Sequence, residues 1–242
     1  MCRHLGYIGP TRSVREVITA GEFSLLRQSW DPRDMRGGGS INADGFGAAW
    51  WGSTLSRYRS AMPIWSDPAL PEMLSKVRSH AVLAAVRSAT VGMPVERSAC
   101  APFVSKHWAF SLNGRIAGWP ESMVEPAGRL PMVDLLGLEA PTDAALLWML
   151  VRNALRDNSP ELALMQVSTL VTEAAPGSKL NMLLGDGRQL WATTWEHALS
   201  TLVDDDRAVI SSEPYDRNHE WKEIPDGHLV TARPGHLIST PL

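Results

Sequence analysis

The sequence predicts an α+β fold, with helices packed on antiparallel sheets, from three observations. Short turn-bounded apolar runs lie toward both ends, two long segments of helical period fill the middle, and the last third carries hairpin signals. Residues 5–8 read as a short strand ended by Gly9-Pro10, and Ser13 with Glu16 three positions on marks a helix start. That strand would hold Cys2 at the edge of a sheet rather than leave it to fray. Residues 81–86 form a continuous apolar run between His80 and Arg87, as suits a strand covered on both faces. Residues 108–112 read as another strand, closed by the turn-prone Asn113-Gly114.

The strongest helix is expected over 143–155, where Ala145, Leu146, Trp148, Met149, Val151 and Leu155 recur at helical spacing; a second runs from 160 to about 173. Residues 180–184 and 189–195 flank Gly185-Asp186-Gly187, and residues 199–203 and 208–211 flank three aspartates. Both patterns predict hairpins. With 242 residues, 44% of them hydrophobic, and no linker rich in Pro, Gly or Ser, residues 1–242 are expected to form a single domain.

Bulk composition narrows the function classes. A formal net charge of -3 with scattered lysines and arginines provides no electrostatic footprint for nucleic acid. No stretch approaches a membrane span, and charges break every apolar run near the N-terminus, so no leader is expected. The two cysteines, Cys2 and Cys100, cannot make a disulfide framework, which points to a reducing, cytoplasmic setting. Seven histidines show neither HExxH nor an i, i+4 pair, so no metal site is expected. The stretch Arg36-Gly37-Gly38-Gly39-Ser40 lacks the lysine of a phosphate-binding loop and reads as a flexible segment. A small-molecule partner is the expectation, with homo-oligomer formation left open.

The chemistry centres on Met1-Cys2. Methionine aminopeptidases remove the initiator when the second side chain is small, leaving a thiol and an α-amine on one residue. Free thiols titrate near about 8.5 and α-amines near about 7.7 to 8.0, so the amine can take the thiol proton near neutral pH. The plain alternative is an ordinary frayed terminus.

Met-Cys at the start, Asn42-Ala43-Asp44-Gly45-Phe46-Gly47, Ala85-Val86-Arg87-Ser88-Ala89-Thr90, Asn113-Gly114 and Thr142-Asp143 occur in the order seen in class II glutamine amidotransferase domains, which the chain resembles. Within these N-terminal-nucleophile hydrolases it most resembles the γ-glutamyl hydrolases of ergothioneine biosynthesis, through Met1-Cys2-Arg3-His4, residues 84–90 and Ser212-Glu213-Pro214-Tyr215. The resemblance implies a four-layer αββα sandwich and cleavage of a γ-glutamyl amide through a glutamyl thioester, without a cofactor. The implied substrate is γ-glutamyl-hercynylcysteine sulfoxide, releasing glutamate and hercynylcysteine sulfoxide. A glutaminase subunit feeding ammonia to a separate synthase, or a silent glutamyl-binding paralogue, are the alternatives.

Carried over residue by residue, Cys2 is the nucleophile and its α-amine the base, while Asn113 and Gly114 supply the oxyanion donors. Arg87 would take the substrate α-carboxylate, since a guanidinium matches a carboxylate bidentately; an ordinary surface salt bridge is the alternative. Asp143 would take the α-ammonium, against a default N-cap role. Thr90 would add a hydroxyl, and Asp44 would hold the nucleophile's loop, against an ordinary turn role. Cys100 reads as an inert buried thiol. Trp30, Trp65 and Trp119 are candidate aromatic walls for a trimethylammonium group. One departure stands out: the family's His-Asn-Gly is Leu112-Asn113-Gly114 here. That places local positioning and substrate preference in question, and restoring histidine would be expected to raise hydrolysis.

Overall fold

The computed structural model describes residues 2–36 and 41–242. Met1, whose removal is expected from the sequence, and the glycine-rich segment 37–40 lie outside the described residues. Along the chain, β1 (Arg3–Ser13) passes into α1 (Val14–Thr19) and a one-turn α2 (Leu25–Gln28). Next come β2 (Phe46–Trp51), β3 (Leu55–Ser60), β4 (Arg78–Val86), β5 (Phe103–Ser105) and β6 (Trp108–Arg115). Helices α3 (Val124–Gly128), α4 (Met132–Leu136), α5 (Asp143–Ala154) and α6 (Pro160–Ala174) follow. The chain closes with β7 (Lys179–Gly185), β8 (Leu190–Thr194), β9 (Ser200–Val203), β10 (Ala208–Ser211), β11 (Lys222–Glu223), β12 (His228–Arg233) and β13 (His236–Pro241).

The strands pair antiparallel in two sheets, ordered β11-β9-β10-β1-β4-β2-β3 and β13-β12-β8-β7-β6-β5. Three apolar cores divide the molecule into four layers. Between the sheets lie Ile8, Ala49, Leu83, Leu183, Leu190, Ala208 and Val230. Outside the seven-stranded sheet, Leu5, Tyr7, Phe46 and Val82 pack against Val17, Ile18 and Leu25 of α1 and α2, and against Ile64 and Leu74. Outside the six-stranded sheet, Phe110, Leu112 and Met182 pack against Leu147, Trp148 and Val151 of α5 and Leu164 and Val167 of α6. This is the four-layer αββα sandwich.

Local signals set several boundaries as expected. Ser13 accepts from Glu16 N while the Glu16 side chain accepts from Ser13 N, a reciprocal capping box that starts α1. Helices α5 and α6 begin at 143 and 160, and β7 pairs with β8 as a hairpin.

Three expectations are corrected. The first strand does not stop at Gly9-Pro10: it runs to Ser13, absorbing the proline through a register irregularity between Ile8 and Arg12. β1 is also not at an edge, because β10 and β4 flank it on either side. And Asn113-Gly114 is strand interior: β6 continues to Arg115, with Asn113 opposite Asn181 and Gly114 opposite Leu180. Pairing with β7 overrides the local turn preference of Asn-Gly.

The strand period of two then decides the fate of position 112. Ser111 and Asn113 face the other sheet, whereas Leu112 faces outward, 5% exposed within the helix-covered core. Leu112→His therefore acts first on stability, burying an imidazole among leucines and methionines at an expected cost of about 2 to 4 kcal/mol. Urea unfolding checks this. An unchanged midpoint, or the gain in hydrolysis expected from the sequence, would show that this side of β6 does not pack as described.

Candidate active site

Cys2 immediately precedes β1, and by strand alternation it lies on the same inter-sheet face as His4. Its Sγ sits 3.6 Å from Ser88 O, just beyond the end of β4. Arg3, on the opposite face and almost wholly buried, donates to Cys2 O at 3.1 Å and to Asp34 O. Burial pulls its pKa down, opposed by the nearby Glu213 and Asp34 carboxylates. Glu213 in turn accepts from the backbone N–H of Arg33 at 3.0 Å and of Asp34 at 2.7 Å. The head of β1 is thus tied to the 33–34 loop on one side and the loop after β4 on the other.

Two loops close around that head. Asp44 N donates to Arg87 O at 3.0 Å and Arg87 N to Gly45 O at 2.8 Å, which prolongs the sheet pairing past β4. Asp44 Oδ2 accepts from Ala89 N at 2.7 Å, so this carboxylate anchors the segment whose Ser88 carbonyl meets the thiol. Arg87 is buried, with Nη1 donating to Pro94 O at 2.8 Å. Among the described residues it has no ion-pair partner at contact distance, so it is not a surface salt bridge. Thr90 is exposed at the start of the following turn.

Asp143 is not the N-cap of α5. Thr142 fills that position, accepting from Ala145 N at 3.3 Å, because its extended backbone aims the hydroxyl at the free N–H groups. The buried Asp143 carboxylate instead accepts from Ile116 N at 2.9 Å and Ala144 N at 2.8 Å. Burial pushes its pKa up, while those two N–H donors and the Arg87 guanidinium pull the other way. Arg87, just past β4, thus acts on the charge of Asp143 at the head of α5.

Asn113 is 1% exposed; its Nδ2 lies 3.4 Å from Ser212 Oγ, and its Oδ1 has no partner among the described residues. Ser212 Oγ also accepts from His4 N at 3.0 Å, so one hydroxyl links β1 to the amide. Gly114 is where β7 comes closest: a Cβ there would lie 1.9 Å from Lys179 O, so the backbone admits no side chain. Cys100 is buried, its Sγ 3.3 Å from Ser60 O, and burial pushes its thiol up to about 11. It is the inert thiol expected.

Sequence reasoning missed Ser212, Glu213 and His4 as site residues, although all three stand inside the motifs that carried the resemblance. A cavity of about 540 Å³ adjoins Ser212 and Glu213, lined also by Asp34, Arg36, Trp221 and Glu223. None of Trp30, Trp65 and Trp119 lines it. Trp30 and Trp65 form an edge-to-face pair at 5.8 Å, and Trp119 packs against the outer core beneath the helices.

Beneath the thiol, His4 is fully buried, with Nδ1 2.9 Å from Ser111 Oγ. Burial, with the charges of Arg3 and His197, lowers its pKa to about 3; burial, with Lys179 and Arg3, lowers that of His197 to about 4. Both rings are neutral in the folded state and protonate near about 6.5 when unfolded. The unfolded chain thus binds more protons in acid: this stability is complete above about pH 6.5 and drains as pH falls toward the folded values. Between pH 7 and pH 5 each histidine is expected to cost about 2 kcal/mol. Urea midpoints at the two pH values test it, and equal midpoints would mean the rings are not held neutral.

A family model described as class-II glutamine amidotransferases matches residues 22–204. The chain belongs to the class II glutamine amidotransferase family. Among its relatives, a protein of Mycolicibacterium smegmatis named gamma-glutamyl-hercynylcysteine sulfoxide hydrolase is 38% identical over 244 residues, covering 100% of both chains. A protein of the same name from Mycobacterium tuberculosis is 39% identical over 231 residues, 95% of this chain and 92% of that one. A solved glutamine aminotransferase class-II domain protein from Silicibacter pomeroyi superposes with a TM-score of 0.71 at 21% identity, covering 99% and 98% of the two chains. The sandwich is thus the N-terminal-nucleophile hydrolase fold of the class II amidotransferases, with Cys2 directly before its strand β1.

Proposed function

We propose that this chain hydrolyses the γ-glutamyl amide of γ-glutamyl-hercynylcysteine sulfoxide, releasing glutamate and hercynylcysteine sulfoxide in ergothioneine biosynthesis. The seating of Cys2 carries the reading: its thiol heads a central strand, against the segment that bears Arg87 and across from the face that bears Asn113. The full-length identity with two proteins of that name supports the leaving group.

With Met1 removed, the α-amine of Cys2 takes the thiol proton and Sγ attacks the γ-carbonyl carbon. The oxyanion forms toward Asn113 Nδ2 and the Gly114 N–H, donors held in place before charge develops. Collapse breaks the C–N bond, and the ammonium passes its proton to the departing amine. Water, deprotonated by the same amine, then cleaves the thioester and frees glutamate and the thiol. Arg87 and Thr90 hold the α-carboxylate and Asp143 the α-ammonium, while Asp44 keeps the Ser88 carbonyl against the thiol. A reducing cytoplasm, where Cys2 stays a thiol, belongs to the proposal.

Glutamate release from the conjugate and from glutamine, measured side by side, tests it. Release from the conjugate at a rate well above that from glutamine is expected. Faster release from glutamine would point to an ammonia-supplying subunit, and release from neither to a silent glutamyl pocket.

A further inference from the structure

We propose that the cavity beside Ser212 is the leaving-group subsite, and that Trp221 with Glu223 receives a quaternary ammonium there; this rests on the hydrolase reading above. The cavity's volume of about 540 Å³ lies within the range of small-molecule sites, and its lining includes Ser212, whose hydroxyl lies 3.4 Å from Asn113 Nδ2. A group leaving the γ-carbonyl on that side would enter it.

The lining is built for a zwitterion with a bulky cation. Asp34, Glu213 and Glu223 line the cavity together with Arg33 and Arg36, so both signs of charge are at hand. Asp34 and Glu223 converge on a single Arg36 nitrogen, each at 2.6 Å, which marks that corner as one where positive charge is stabilised. Trp221 stands beside it as a fixed platform. Its Nε1 donates to Asp216 Oδ1 at 2.7 Å, and its ring meets Tyr215 edge-on, with centroids 5.0 Å apart.

Trp221 is half-buried, and among the described residues its indole face carries no cation of the protein's own, whereas Trp30 already carries the Arg27 guanidinium at 5.6 Å from its ring centre. A trimethylammonium group suits such a face better than a primary ammonium, because it is weakly hydrated and loses less on leaving water. Trp221 is therefore a more fitting wall than Trp30, Trp65 or Trp119.

The test compares kcat/KM for the conjugate carrying trimethylated histidine with kcat/KM for the same conjugate carrying unmethylated histidine. Wild type, Trp221→Leu and Glu223→Gln are measured. The ratio is internal to each protein, so it does not depend on how much of a variant is folded, and Glu223 is exposed enough to change without risk to the core. Wild type should prefer the methylated conjugate, and Trp221→Leu should cut that preference by about threefold to thirtyfold, the span of a cation–π contact. Glu223→Gln should cut it less. An unchanged ratio in both variants, or no preference in wild type, overturns the subsite while leaving the hydrolase reading intact. Failure of wild type to cleave either conjugate overturns the hydrolase reading, and the subsite with it.

Discussion

Cys2→Ala is expected to abolish glutamate release, lowering kcat by at least about 10⁴-fold while the conjugate still binds. No other thiol can take over. Cys100 is buried, donates to Ser60 O at 3.3 Å, and has its pKa raised to about 11, so at neutral pH it is neither ionised nor accessible. The substitution spares the fold, because the half-buried Sγ makes one long contact, 3.6 Å to Ser88 O, worth under about 1 kcal/mol. Arg87 and Asp143, the groups proposed to hold the glutamyl end, are untouched, so binding measured by calorimetry should stay within a few-fold of wild type. Turnover within tenfold of wild type would remove the thiol from the mechanism, and intact mass would show whether Met1 had been cleaved in the sample tested.

The second large effect is expected at Asn113. Replacing it with alanine should lower kcat by about 100- to 1,000-fold with KM little changed, since an oxyanion donor meets its charge only in the transition state. Stability should move by less than about 1 kcal/mol. The lost hydrogen bond is a long one, 3.4 Å to Ser212 Oγ, and that hydroxyl keeps its bond from His4 N. The buried Oδ1 that disappears has no partner among the described residues to leave behind. A kcat within about threefold of wild type would place the oxyanion elsewhere, and a KM rising in step with the loss would make Asn113 a ground-state contact.

Where the sequence could be read, short-range physics was in charge. The Ser13 and Glu16 capping box, the helical period of 143–155 and the turn between β7 and β8 each act within a few residues and appear where expected. Where it failed, distant partners decided. Asn113-Gly114 has the local chemistry of a turn, yet β7 pairs with it residue for residue. Gly9-Pro10 looks like a strand end, yet β4 and β10 carry β1 past it. The hairpin of β2 and β3 closes on Gly52-Ser53-Thr54, a short glycine-containing loop that the sequence reading above leaves out.

The site divides in the same way. By itself the sequence determined which reactive and charged groups are on offer: a thiol directly after Met1, an arginine ending an apolar run, and an aspartate opening a strong helix. Residue type and order supplied the candidate groups, because nucleophilicity and charge belong to the side chains, and the resemblance supplied the roles expected of them. Only the tertiary structure decided which faces meet. Ser212 reaches His4 across 208 positions of chain, Trp221 and Glu223 come to the cavity from beyond β10, and alternation along β6 turns Leu112 into the helix-covered core while Asn113 faces the nucleophile strand. Such contacts arise from sheet register and layer packing, which depend on the whole chain at once and leave no mark within any short stretch of it.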